Sequence, residues 1–283
     1  MSEDECLDIA RRVASAIDTS RCDMVLVTGS ASRGIADRSS DVDVYLYLAD
    51  GADATRSMQP SLAACGAVLL FGVPTATSRF EKFRLGGRYV DVEQVGCGVL
   101  DAIAGRVAMG GVDPNDIKTI IGVRDAIALH GASTLRTWQE RTLLTDQVAT
   151  SEVGRLGGRI LSPRALYDLT WARADELSYV ARVAPVLLAG LGLLGAVNRQ
   201  WVSIDDPKWM PWQVDRLAVK PPALLDGFRT ALTVPTEDST EVAGGLLDEI
   251  LDLVDEYVEG ADTRPARFSL HLRTTPDSSN EHS

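Results

Sequence analysis

Residues 24–48 read MVLVTGSASRGIADRSSDVDVYLYL, two apolar runs separated by a polar loop. Met24 to Thr28 and Val42 to Leu48 are rich in β-branched residues, and Tyr45 and Tyr47 alternate with aliphatic side chains in the second run. Both runs predict strands. Between them Gly29-Ser30, a short Ala/Ser/Arg stretch, Gly34 and the cluster Asp37-Arg38-Ser39-Ser40 predict a structured loop with room for one helical turn. Asp41 and Asp43 stand two apart on the second strand, so their carboxylates leave the sheet on one face, side by side.

Working outward, Cys6, Leu7, Ile9, Ala10, Val13 and Ile17 recur at helical spacing and predict an amphipathic helix before the first strand. A helix around 54–65 and strands at 67–71, 80–85 and 89–95 follow, with Gly86-Gly87 as a hairpin turn, and the sheet is expected to end there. After Gly98 the apolar period changes from two to 3.6, predicting helices over 100–108, 116–129, 133–148, 165–181, 183–198, 221–232 and 241–257. His130 is then expected at a helix end, as a cap. The expected fold is α+β: an N-terminal αβ domain with a mixed sheet over residues 1–98, an all-helical domain over 99–260, and a polar tail over 261–283.

The chain has 283 residues, 45% hydrophobic and 24% charged, enough to bury a core. Its net charge of -12 disfavours binding to nucleic-acid backbone, which depends on lysine and arginine displacing counterions. Cys6, Cys22, Cys65 and Cys97 lie far apart with no CxxC pair and are expected as buried small hydrophobes. Met1 to Cys6 is acidic and polar, so no leader is expected and the cytoplasm is the expected compartment. The apolar stretch Val183 to Val197 falls short of the roughly 20 residues of a membrane helix and is expected to be a buried one.

The loop and the paired aspartates suit a metal-bound triphosphate. Glycine at 29 lets backbone N–H groups approach a phosphate, and the Ser30 hydroxyl can donate to its oxygens. Asp41 and Asp43 can bridge two magnesium ions, a pair about 3.5–4 Å apart that clamps the attacking and leaving oxygens of an in-line displacement. A third carboxylate on a neighbouring strand would complete the metal shell and take the attacking hydroxyl's proton. Tyr89 to Val95 offers Asp91 and Glu93 on one face, with Val90 and Val92 on the other. Periodicity does not choose between them. Asp91, pinned between two valines, is the preferred ligand, with Glu93 nearer the strand end as the alternative catalytic carboxylate. Arg33 and Arg38 are candidates to steer a triphosphate.

At Gly29, Ser30, Gly34, Ser40, Asp41, Asp43 and Asp91 the chain resembles the DNA polymerase β-like nucleotidyltransferase superfamily, whose signature is a Gly-Ser, an Asp-x-Asp on the next strand and a later strand-borne acid. The string GSASRGIADRSSDVDVYLYL looks like the variant found in antibiotic-modifying nucleotidyltransferases, and the helical remainder is similar in layout to the C-terminal domains of the aminoglycoside and lincosamide enzymes. The resemblance implies two Mg2+ ions held by Asp41, Asp43 and Asp91, and an NTP, expected to be ATP, bound through Gly29, Ser30, Arg33, Arg38 and Ser40. From the helical domain it implies one cation on the triphosphate, for which Lys208 is the candidate. Trp201, Trp209 and Trp212 near it could stack on a ring or simply pack. The implied reaction moves an NMP to a hydroxyl of a small acceptor, such as an aminoglycoside-type compound, and releases pyrophosphate. The alternatives are transfer to tRNA or protein, as in toxin-type relatives, and a non-catalytic nucleotide-binding relative.

Overall fold

The structure is a computed structural model, and it describes residues 3–272. The chain divides into two compact units, one of residues 1–109 with 118–143 and the other of residues 110–117 with 144 onward.

The first unit opens with helix α1 (Glu3–Ala16) and then runs β1 (Cys22–Thr28), the short α2 (Gly29–Ser32), β2 (Val42–Leu48), α3 (Gln59–Ala63), β3 (Val68–Pro74), β4 (Ser78–Leu85) and β5 (Arg88–Gly96). Helices α4 (Gly98–Ala108) and α5 (Pro114–Arg124), strand β6 (Ile127–His130) and α6 (Ala132–Arg141) follow, the division into units passing through α5. The sheet order is β3-β4-β5-β2-β1-β6, with β2 and β5 parallel and every other pair antiparallel.

Alternation does the sorting between the two faces. Val42, Val44, Leu46 and Leu48 of β2, Val90 and Val92 of β5, and Phe83 and Leu85 of β4 are buried together with Cys6, Ile9, Ala10 and Val13 of α1. On the other face Met24, Leu26 and Tyr47 are buried toward one end of β1 and β2, where β1 meets α6. Toward the other end that face carries Asp41, Asp43 and Asp91, each only part-buried. Removing an aliphatic side chain from water is worth about 1.5–3 kcal/mol, so the one-sided placement of these residues fixes which way the aspartates point.

The second unit is helical: α7 (Asp146–Gly157), α8 (Pro163–Leu169), α9 (Glu176–Val197), α10 (Met210–Asp215), α11 (Leu224–Thr233), α12 (Glu237–Tyr257) and α13 (Arg264–Leu270). Helix α9 packs against α7, α8, α11 and α12. Gly190 lets α12 come close, since a Cβ there would stand 2.6 Å from Leu247 Cδ2. The architecture is α+β, a mixed sheet with helices followed by an all-helical region.

Several expectations change. The helix expected over 116–129 ends at Arg124, and Ile127–His130 instead forms β6, pairing with Val25 to Val27, so His130 ends a strand and the sheet does not stop near residue 95. Residues 118–143 accordingly pack with the sheet rather than with the helices that follow. The helix expected over 133–148 is broken: the Thr142 hydroxyl donates to Trp138 O, and Thr145 caps α7 by accepting from the Val148 amide. The break expected near residue 182 lies earlier, at a 3-10 turn over Trp171–Arg173 and the left-handed Ala174, after which Asp175 caps α9. Pro185 then sits inside α9 without ending it, so that helix has 22 residues and is long and apolar enough to span a membrane. Of its most apolar window 61% is buried inside the protein, consistent with the core role expected of it. The region expected as a polar tail contains α13, where Arg267 bridges Asp248, Asp252 and Asp255; residues 273–283 lie outside the described residues.

Candidate active site

The parallel pairing of β2 with β5 sets Asp43 beside Asp91 and Tyr45 beside Glu93, because register partners in a parallel pair point to one face. Asp91, not Glu93, therefore adjoins Asp43, and Asp41 precedes β2 at the same end. Glu93 lies one step further along, where it receives the Tyr45 phenol; burial first, and then this carboxylate, push the phenol's pKa upward.

The loop before Asp41 is built to hold its place. Asp37 accepts from the Ser39 amide (2.8 Å) and the Ser40 hydroxyl (2.9 Å), and the Asp37 amide donates to Ser40 Oγ (2.9 Å). These bonds, the Ser40 hydroxyl first, hold the Asp37 carboxyl below the usual range. Arg88, buried at the start of β5, donates through one nitrogen to the carbonyls of Asp37 (3.0 Å), Arg38 (2.8 Å) and Ser40 (3.1 Å). The sequence reading missed Arg88; a lone arginine after a Gly-Gly turn gives no signal that it points inward.

On the other side of the carboxylates, Thr28 leads into α2, and Gly29 has a positive φ of 70°. A Cβ on Gly29 would lie 2.0 Å from Asp43 Oδ2. The Asp43 carboxylate thus rests directly on the Gly29 backbone, and the Gly-Ser step and the Asp-x-Asp pair form one packed feature. Ser30 is buried at the first turn of α2, and Arg33, which ends that turn, pairs with Asp125 at 2.9 Å. Arg38 is exposed on the loop. Lys208 belongs to the second unit, on an exposed segment whose backbone carbonyl accepts from Gln213, and its assignment to a triphosphate rests on resemblance alone. Trp201 is buried, Trp209 is exposed, and Trp212 is stacked under the Arg216 guanidinium at 4.4 Å. The second unit also holds an open cleft of about 680 Å³, whose charged lining residues are Arg159, Arg182 and Asp205.

A residue the sequence reading did not single out lies at the centre. Lys82 of β4 pairs in register with Asp91, and its ammonium is 2.9 Å from Asp91 Oδ1 and 3.4 Å from Asp41 Oδ2. At 2.9 Å the ammonium is the ion-pair partner of this buried Asp91 oxygen, and the one cation is shared with Asp41. Burial raises the Asp91 pKa above the ordinary carboxylate value; Lys82 opposes this and the nearby Asp41 charge adds to it. Among the described residues no three acidic, histidine or cysteine side chains stand in a ready metal cluster. Asp43 is turned onto Gly29, and Lys82 pairs with both of the other carboxylates. The donor set nevertheless suits a hard cation. It is all oxygen, and its carboxylates share a single ammonium, which leaves an excess of negative charge.

No protein-family model matches the chain, and no curated protein matches it. Among solved structures it is similar to a nucleotidyltransferase-like protein from Exiguobacterium sibiricum 255-15, with 13% identity over 82% of this chain and 68% of that one and a TM-score of 0.37. It is also similar to an aminoglycoside 6-adenyltransferase from Bacillus subtilis, with 10% identity over 95% of each chain and a TM-score of 0.32. Both likenesses are distant, and the chemistry proposed below rests on the residues of this chain.

Proposed function

We propose that the chain is a magnesium-dependent nucleotidyltransferase that moves an NMP, expected to be AMP from ATP, to a hydroxyl of a small-molecule acceptor and releases pyrophosphate. The observation that carries this reading is the gathering of Asp41, Asp43 and Asp91 at adjoining positions of β2 and β5, with Gly29 packed on Asp43. That is the arrangement expected of the superfamily the motif resembles.

Asp41, Asp43 and Asp91 would hold the metal. Bound magnesium would supply charge neutralisation and Lewis-acid polarisation at the α-phosphoryl group. Asp91, or Glu93 one step further along β5, would take the acceptor hydroxyl's proton at a carboxylate oxygen. Gly29 and Ser30 border the carboxylates where phosphate oxygens would lie, with Ser40 keeping the Asp41 loop in place. Arg33, Arg38 and Lys208 remain the candidate cations for the triphosphate. A cationic, aminoglycoside-type acceptor follows only from the net charge of -12, since the cleft in the second unit carries arginines as well as an aspartate. Action in the cytoplasm goes with this reading.

The test is incubation of the chain with Mg2+, each α-labelled NTP in turn, and separate pools of aminoglycosides, tRNA and cell protein. Metal-dependent label in the small-molecule pool is expected. Label in tRNA or protein instead would move the substrate class, and no transfer to any pool would leave a nucleotide-binding protein without this activity.

A further inference from the structure

The face that carries Asp41, Asp43, Asp91 and Glu93 receives one cation from β4, and it pairs with two of the carboxylates read as metal ligands. We propose that Lys82 is a resident counter-ion that competes with magnesium for Asp41 and Asp91, so that metal loading requires its ammonium to move aside. This rests on reading those two aspartates as metal ligands. Three observations support it.

The first is position. Cross-strand register puts Lys82 beside Asp91, and a single ammonium lies within 3.4 Å of oxygens from both carboxylates. Two like charges brought this close need a cation between them, and the fold supplies its own. The second is the quality of the contact. One ammonium is shared between two carboxylates, at 2.9 Å and 3.4 Å, whereas Arg79, on the same strand, gives its Nε to Glu81 at 2.8 Å. A shared partner is more readily exchanged than a dedicated one, and a compact ammonium on a flexible stem suits that role better than a guanidinium. The third is a place to go. The Tyr89 ring centroid lies 5.4 Å from the ammonium, and Tyr89 is itself exposed, so the stem can lean toward the ring face and solvent.

The experiment compares the wild-type chain with Lys82→Met and Lys82→Gln, measuring Mg2+ and Mn2+ affinity by calorimetry, and thermal unfolding in EDTA and in saturating Mg2+. Losing the competitor should tighten metal binding roughly five- to tenfold, the effect of about one unit charge acting across about 4 Å of water. The variants should melt below wild type in EDTA and regain most of that loss in Mg2+. An unchanged metal affinity, or a melting loss of equal size in EDTA and Mg2+, would overturn the inference and make Lys82 a purely structural partner. If one variant folds poorly, the other carries the same comparison. Nucleotidyl transfer assayed on the same preparations separates the two readings. Tighter metal binding without any transfer sinks the enzyme assignment and leaves the counter-ion standing; transfer with an unresponsive metal affinity does the reverse. Absence of metal binding in all three proteins overturns both.

Discussion

Strand β4 sends its neighbouring residues Glu81 and Lys82 to opposite faces of the sheet, and the carboxylates on the two faces differ in kind. Glu81, fully buried on the α1 side, accepts from the Ser57 hydroxyl (2.6 Å), the Met58 amide (2.7 Å) and Arg79 Nε (2.8 Å). Asp91, reached by Lys82 on the other face, is less buried and shares that single ammonium with a second carboxylate, Asp41, while burial raises its pKa. A buried charge whose lone pairs are filled is an anchor, because removing any partner strands the rest. A charge that shares one counter-ion with a like charge beside it is poised to receive something else. Dedicated partners, rather than depth, separate the structural carboxylate from the functional one.

The largest effect that could break this contrast is on turnover. Asp91→Asn should lower metal-dependent transfer by roughly a thousandfold, within the range of losing a catalytic acid or base, while leaving the melting temperature nearly unchanged. A variant that keeps transfer within tenfold of wild type would return Asp91 to the structural class and shift attention to Glu93. The converse substitution, Glu81→Gln, should cost about 3 kcal/mol of stability in urea unfolding, since an amide nitrogen must then face one of three donors. Per folded molecule its activity should persist, and equal loss of both would blur the distinction.

Gly29→Ala sharpens the comparison from the glycine side. Its Cβ would overlap Asp43 Oδ2 and the residue would need a left-handed backbone, so transfer should fall about a hundredfold, as expected for a displacement of an ångström at the chemistry. The accompanying loss of stability should be about 1 kcal/mol. Wild-type kinetics in this variant would mean that Asp43 does not act from its observed position.

The smallest effect is acidic. The Asp37 carboxyl is held below its ordinary value, so the order it gives the loop is fully present above the unfolded-state value and is lost as pH falls through the lowered folded value. Amide exchange at Ser39 and Ser40 should therefore rise on acidification, beyond the intrinsic pH dependence, in wild type but not in Asp37→Asn. Identical pH profiles would remove Asp37 from the loop's support.

Much of the arrangement was legible because strand alternation is a local rule. A period of two places Asp41 with Asp43 and Asp91 with Glu93, and the valines between them say which face is core; the Gly-Ser step announces the turn before them. The helical region was legible in kind, though not in its breaks, because the Trp171–Arg173 turn and the Thr142–Thr145 gap are ended by caps and side-chain bonds that an apolar period does not record. Strand β6 escaped because four residues, Ile127 to His130, carry too little pattern, and their state is set by pairing with β1 about a hundred residues earlier.

The sequence by itself determined that two acidic pairs would stand on strand faces behind a glycine turn, since that follows from backbone geometry and the burial of the alternating valines. Only the tertiary structure decided which acid meets which. The parallel register of β2 with β5 put Asp91 beside Asp43, the β4–β5 register brought Lys82 between Asp41 and Asp91, and the inward turn of Arg88 tied the loop before Asp41 to β5. Those choices depend on contacts between residues far apart in the chain, where one step of register exchanges every partner and local propensity is silent.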